Sequence, residues 1–503
     1  MVDFSFFPPN ITIHKTVINL NMKTNSTTNA IFAYCVLSMV PAALFALPPK
    51  QDYSDRPYGG NSGNIAGGSW TGGGVYSANI GDDVYIYTQL DANTTQGAAN
   101  AHGIYGNGTS TTTAGDYLKI DVSGPDGDGI RSNPGGTTNA GSSNCTFIVG
   151  DYLTIWARGE SGDCVNLNGY STLTVGDNAR FLAEGSLKSG GEGSHGLRAN
   201  YASQITTGKN TYIETIGEKS HGVYAASAFF YPNAYTASVT LGDNATIVTR
   251  NSGSYGVNAS NRDSTVTFKG AADISTDGAA AHAVYTNGTN SNVYFGSSTT
   301  LNTKASDAYS LYANYGKISG TGKFLIGTES GREGIYANRG TVDLKMKNGS
   351  VFNGYTNKAA NGTVNIDLSD SSTWRLTDSS TLTHLGMDTS STVIFTVSGQ
   401  DDFTTVTANE AFLSDGVIKL ILDGYDPVLG DAFRLIIAAD FDASDLAFDF
   451  TEALLDADLY WDTSTFYEDG TVRVANVPEP VTISALFGAL ALGFVLRRRR
   501  RVE

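Results

Sequence analysis

The sequence predicts an all-β solenoid. Three observations carry that expectation: the composition, a short motif that recurs along the chain, and alternating strand-like stretches between its copies. The 503 residues include 58 Gly and 26 Tyr, Thr, Ser and Asn are abundant, and only 16% of positions are charged. Such a mixture suits short strands joined by tight turns, because β-branched and aromatic side chains fit a pleated surface while Gly and Asn accept a positive φ. It argues against a helical protein.

The recurring motif is a polar or aromatic residue, then Gly, an aliphatic residue and a further polar or aromatic residue. It runs through nine copies from His102-Gly103-Ile104-Tyr105 to Glu333-Gly334-Ile335-Tyr336. Asp128-Gly129-Ile130-Arg131, His195-Gly196-Leu197-Arg198 and His221-Gly222-Val223-Tyr224 are clear examples, and Asp163-Cys164-Val165-Asn166 is a variant. The second positions are separated by 26, 35, 32, 26, 34, 27, 27 and 24 residues, a period with insertions that marks stacked repeats. Between copies lies an apolar residue followed by a Gly-containing turn, as in Val175-Gly176-Asp177-Asn178 and Leu241-Gly242-Asp243-Asn244. The latter leads into the alternating stretch Thr246-Ile247-Val248-Thr249. One repeat offers two or three short strands and cannot bury its apolar face alone. Nine coils stacked at about 4.8 Å would form a column of roughly 40 Å with Ile, Leu and Val inside.

Flanking segments divide the rest. Residues 1–47 read as a signal-peptide region: Lys23 precedes an apolar run from Ala30 to Leu47, with Ala42, Ala43 and Ala46 near its exit. A start at Met22 restores the usual order of such a segment. No lipobox precedes Cys35, which argues against lipid anchoring. Residues 48–74 are a Gly- and Pro-rich spacer and residues 75–362 carry the repeats. Over residues 363–476 the period fades, while strand-like pieces such as Thr392 to Val397 and Val417 to Leu422 continue. That stretch is expected to be a β-rich cap or small sandwich.

Residues 477–503 hold Pro478-Glu479-Pro480, an apolar stretch from Val481 to Leu496, and the basic cluster Arg497, Arg498, Arg499, Arg500 and Arg501. Sixteen residues of helix span about 24 Å at 1.5 Å each, enough to insert with some thinning of a bilayer. The arginines act as a stop that stays on the cytoplasmic side. This order of parts at the C-terminus resembles the PEP-CTERM sorting signal. The resemblance implies recognition by an exosortase, a membrane-embedded cysteine protease that cleaves near the motif, with this chain as its substrate. A plain C-terminal membrane anchor is the alternative. The repeats, in turn, resemble the passenger regions of autotransporter adhesins, which implies a right-handed parallel β-helix. No long series of amphipathic strands ends the chain, so the translocator barrel of a true autotransporter is not expected.

The formal net charge is −17, and between Gln400 and Gly470 seventeen Asp and Glu face only Lys419 and Arg434. Nucleic acid is therefore excluded as a partner, and the acidity reads as a solvated exterior. Cys145 and Cys164 are a candidate disulfide in an oxidising compartment, with two buried thiols as the other reading. His102, His195, His221 and His282 share one repeat phase, which is expected to be an exposed corner tolerant of many polar residues rather than a metal ladder. Asp126-Gly127-Asp128-Gly129 hints at a calcium loop but has Gly135 where the bidentate Glu belongs, and Gly320-Thr321-Gly322-Lys323 is expected to be a turn, not a phosphate loop. No catalytic residue, metal site or cofactor is assigned.

The functional expectation is an exported surface or matrix protein of structural or adhesin-like role. It would be held transiently in the membrane by its C-terminal helix, with exosortase as processing partner and exopolysaccharide or other surface components as candidate ligands. The alternative is a carbohydrate-active enzyme on a β-helix, which would show as a cleft-lining cluster of Asp, Arg and Lys on one face instead of an even polar coating.

Overall fold

A computed structural model describes residues 77–88, 102–133, 144–185, 187, 191–227, 236–328, 333–388 and 390–477. The chain divides into the units Met1–Pro57 and Tyr58–Glu503, and every described residue belongs to the second. The predicted signal-peptide region, the spacer, the sorting motif, the apolar tail and its arginines lie outside the described residues. Among those described, no helix is long and apolar enough to cross a membrane.

Each repeat contributes three strands, one to each of three parallel sheets. The coil running from Gln204–Thr207 through Tyr212–Thr215 to Val223–Ala226 is representative. Every strand pairs in register with its counterpart one coil before and one coil after, so the all-β stacked-coil class expected from the period is observed.

The alternating patterns translate directly into inward rows. In the second sheet Ile120, Ile155, Phe181, Ile213, Ile247 and Ile274 follow one another in register and are fully buried. Ile130, Val165, Leu197, Val223 and Val257 do the same in the third sheet. Like side chains stacked about 4.8 Å apart remove most of their apolar area from water, at roughly 25 cal/mol per Å².

Corners explain the Gly-Asp-Asn signature. Asn178, Asn210 and Asn244 hold φ of 63°, 57° and 57°, a region that Asn tolerates. Their amides join successive coils, Asn210 Nδ2 donating to Asn178 Oδ1 at 3.0 Å and Asn244 Nδ2 to Asn210 Oδ1 at 3.2 Å. One position earlier, aspartates accept backbone N–H groups from the next coil: Asp151 N–H donates to Asp116 Oδ1 at 2.8 Å and Asp177 N–H to Asp151 Oδ1 at 2.7 Å. The acidic corner is thus a column of backbone acceptors.

The region after residue 362 differs from the expected separate cap. Parallel pairing in the first two sheets continues to Ile436–Ser444 and Ala447–Glu452, whereas the third sheet ends at Tyr355–Lys358. The third row goes on without the motif, as Ser380–Thr381 and the first residues of Val406–Ser414 and Ile436–Ser444, which are joined to the first sheet. Trp374, fully buried, stacks on Phe352 at 5.4 Å and donates to Gly354 O at 3.0 Å near this transition. Among the described residues, only Ala432–Arg434, Leu459–Asp462 and Thr471–Asn476, antiparallel, with the one-turn helix Phe466–Asp469, form a distinct end structure. Gly320-Thr321-Gly322, expected as a turn, lies within the strand Lys317–Gly322, its alternation hidden by the glycines.

Candidate functional site

The third sheet begins at the motif, so the motif's first and fourth residues define its outer side. The first position is not an exposed corner. His102, His195, His221 and His282 are all buried, and His195 is wholly inaccessible. The sequence reading missed this because the partner that makes burial tolerable comes from the next coil. His221 N–H donates to His195 Nδ1 at 2.9 Å, Tyr255 N–H to His221 Nδ1 at 3.1 Å and Tyr309 N–H to His282 Nδ1 at 3.0 Å. Asp128 N–H donates likewise to His102 Nδ1 at 3.0 Å, and His195 N–H to Asp163 Oδ1 at 2.7 Å. Asp and His alternate at this phase because both offer an acceptor to the following backbone. The rings also stack, His195 on His221 at 5.0 Å and His221 on Tyr255 at 4.8 Å.

An accepting Nδ1 requires each neutral ring to carry its proton on Nε2. Burial lowers the imidazole pKa to about 3 in His102 and to about 4 in His195 and His282, and pushes His221 well below the usual value. These rings form a structural ladder, and no cluster of three or more potential metal ligands occurs among the described residues.

The fourth position forms a second column: Tyr105, Arg131, Asn166, Arg198 and Tyr224 pair in register across five coils. Where it is charged, a polar groove of about 450 Å³ opens, lined by Arg131, Asp163, Asn166, Glu192, Arg198 and Asn200 among others. Arg131 Nη1 lies 2.9 Å from Asp128 Oδ2, and Arg198 Nη2 lies 2.8 Å from Glu192 Oε2. Arg198 also faces Asp163 Oδ2 at 3.7 Å and lies over the Tyr224 ring at 5.3 Å. Asn166 Oδ1 accepts from Asn168 and Asn200, tying the floor together at 3.1 and 3.3 Å.

The carboxyls in this region are driven apart. Burial raises Asp163 well above the usual carboxylate range, although Arg198 opposes the rise; Asp128 is also raised by burial, against Arg131. Glu192 is held down at about 2, first by the His195 imidazole and then by the Arg198 guanidinium, against burial. Asp163 Oδ2 and His195 Nε2 are buried at more than hydrogen-bond distance from their charged neighbours, 3.7 Å from Arg198 Nη1 and 3.7 Å from Glu192 Oε2 respectively. A groove with both donors and acceptors, and with its charges already paired, can meet hydroxyl groups from several directions.

Other candidates fall elsewhere. Cys145 and Cys164 are free, buried thiols, the second of the two readings. Cys145 begins the first-sheet strand Cys145–Val149 and donates to Gly108 O, while Cys164 precedes the third-sheet strand Val165–Leu167 and donates to Ile155 O. Being interior residues of different sheets, they are each satisfied within their own coil stack. Burial pushes the Cys164 thiol up. Asp128 of the suspected calcium loop is spent on Arg131 and on the Asp163 N–H.

Sequence reasoning had the groove's elements in hand without joining them. Asp128 with Arg131, Asp163 with Asn166, and His195 with Arg198 occupy the same two motif positions in three consecutive copies. That clustering, bounded by Tyr105 and Tyr224, was the available signal. In comparison with known proteins, no family model matches the chain, and no curated protein matches it either.

Proposed function

We propose that the chain is an exported cell-surface or extracellular-matrix protein of structural or adhesin-like role, sorted by an exosortase through its C-terminal tail. The observation that carries this reading is the tail's sequence: Pro478-Glu479-Pro480, the apolar stretch Val481 to Leu496, and the arginines from Arg497 to Arg501. The stacked-coil body supports it, since a strand-built scaffold with in-register rows is suited to present a long face outside the cell. A right-handed winding of the coils belongs to the same proposal. Replacing Glu479 by Ala in a host that has its exosortase should leave a full-length form in the inner membrane, while the unaltered chain loses its tail and moves outward. An intact tail on both versions would leave a plain anchor.

One observation favours the enzymatic alternative. The groove places Asp163, with a raised pKa, near the ionised Glu192, and such a divergence is what an acid and base pair requires. The cluster has arginines but no lysine. Release of reducing or unsaturated ends from a polysaccharide panel, lost in Glu192→Gln, would establish that alternative.

A further inference from the structure

The groove is built across coils rather than at a corner, and its chemistry narrows what it accepts. Both guanidinium groups are already held by carboxylates, Arg131 by Asp128 and Arg198 by Glu192, so no uncompensated positive charge is offered to an anion. Arg and Asn donors stand beside carboxylate and amide acceptors, the combination that vicinal hydroxyls satisfy, since each hydroxyl both donates and accepts. Asp163 Oδ2 is inaccessible and faces Arg198 Nη1 at 3.7 Å, so Asp163 holds the guanidinium from beneath while the exposed donors and acceptors of the groove meet the ligand.

Beyond Arg198 the same column continues through Tyr224, Asn258, Tyr285, Tyr312 and Tyr336, in register from coil to coil. Tyr285, Tyr312 and Tyr336 are half-buried, with successive centroids 5.1 and 5.2 Å apart and planes tilted by 60° and 50°. They form a half-exposed aromatic track that starts beyond the buried Tyr224 and Asn258 and leads away from the polar groove. From Arg131 to Tyr312 the column covers six inter-coil steps, roughly 29 Å at about 4.8 Å each.

We propose that this face of the third sheet binds a linear, uncharged polysaccharide lying along the coil stack, anchored in the Arg131–Asn166–Arg198 groove and extended over the tyrosine track. The inference rests on the surface-protein reading for its choice of an extracellular polymer. Its test is independent of sorting, because it measures the purified chain and not the fate of the tail.

The experiment titrates the full chain calorimetrically with the tri- and hexasaccharides of cellulose, xylan, mannan and amylose, and with hexagalacturonate as the charged probe. At least one neutral series should bind, its hexasaccharide at least tenfold tighter than its trisaccharide. Arg198→Gln and Asn200→Ala should weaken both lengths at least tenfold. Tyr312→Ala, at a half-buried position outside the groove, should abolish the gain with length and leave trisaccharide binding unchanged. Arg250→Gln, just past the second-sheet strand Ala245–Thr249 and paired with Glu214 and Asp277, should change neither. Binding with chain cleavage would support the site while overturning the non-catalytic role. No neutral binding, preference for hexagalacturonate, or affinities indifferent to the groove and Tyr312 variants in proteins of unchanged melting temperature would overturn the proposal.

Discussion

His195 and His221 stack at 5.0 Å, and the backbone N–H of His221 donates to Nδ1 of His195 at 2.9 Å. One imidazole therefore serves as packing surface and as inter-coil acceptor, and it can do both only while Nδ1 is unprotonated. The consequence is acid sensitivity. Burial holds these histidines well below the usual imidazole value in the folded chain, whereas the unfolded chain titrates near 6.5. Between about pH 6.5 and 4 the unfolded state binds more protons, so stability is full above that window and falls as pH drops through it, by at most about 1.4 kcal/mol per pH unit for each histidine. The groups facing His195 and His221 are Glu192 and Arg198, and His282 faces Asp307. The raised Asp128 and Asp163 act in the opposite sense. His282→Asn keeps a side-chain acceptor for the Tyr309 N–H but cannot titrate. It should show a shallower loss of melting temperature between pH 6.5 and 4 than the parent chain; an equal slope would refute the ladder's role.

A Cβ built on Gly222 would stand 2.3 Å from Ile247 Cγ2 and 2.7 Å from Gly256 O. Gly222 has no positive φ, so it is required by close approach and not by backbone conformation. Gly222→Ala should cost about 1–3 kcal/mol by overpacking. Ile247→Leu removes the branched methyl, and the double variant should recover part of the loss in a double-mutant cycle. The repeat already contains Ala283 at the Gly222 phase, with Leu301 two coils on from Ile247 in the second sheet. Additive losses in urea melts would show that the methyl is not the obstacle.

Much of this architecture was legible from Gly222, Val223 and Ile247, because a short motif repeated many times reports its own surroundings. What escaped was side-chain service between coils. His195 reads as a surface residue when its neighbours in sequence are Ser194 and Gly196, since its acceptor role involves His221, 26 residues later. The groove escaped for the same reason: Asp163 and Arg198 meet only through stacking. The continuation past residue 362 was hidden by reliance on a third-sheet motif, although Thr392–Val397 and Val417–Leu422 were both recognisable as strands.

Both cysteines of the body should remain thiols. In a chain carrying Cys35→Ser, Cys145 and Cys164 should resist an aromatic disulfide reagent in the folded state and both react after denaturation, because each is fully buried and burial raises the Cys164 thiol further. A reductant should leave the melting temperature unchanged. A drop in melting temperature on reduction, or only unreactive sulfur after denaturation, would restore the bridge.

Trp374 marks where the third sheet's backbone ladder breaks and its row passes to strands joined to the first sheet. Its indole is fully buried against Phe352 and gives its N–H to Gly354 O, just before the last third-sheet strand, Tyr355–Lys358. That strand is tied to the following chain by the Thr356 N–H, which donates to Ser380 Oγ at 3.1 Å, and by Thr356 Oγ1, which donates to Thr381 O at 3.1 Å. Stacked coils gain stability mainly from their nearest neighbours, so a defect acts locally and can uncouple the segments on either side. Trp374→Ala should cost about 3–5 kcal/mol. It should also split one unfolding transition into two, with hydrogen exchange rising first around residues 351–397 while the rows near Ile213 and Ile247 stay protected. Trp374→Phe, which keeps the stack on Phe352 but drops the bond to Gly354, should lose less and keep a single transition. Uniform exchange along the whole stack in the Ala variant would mean that the coils unfold as one unit and that Trp374 is no more than another core residue.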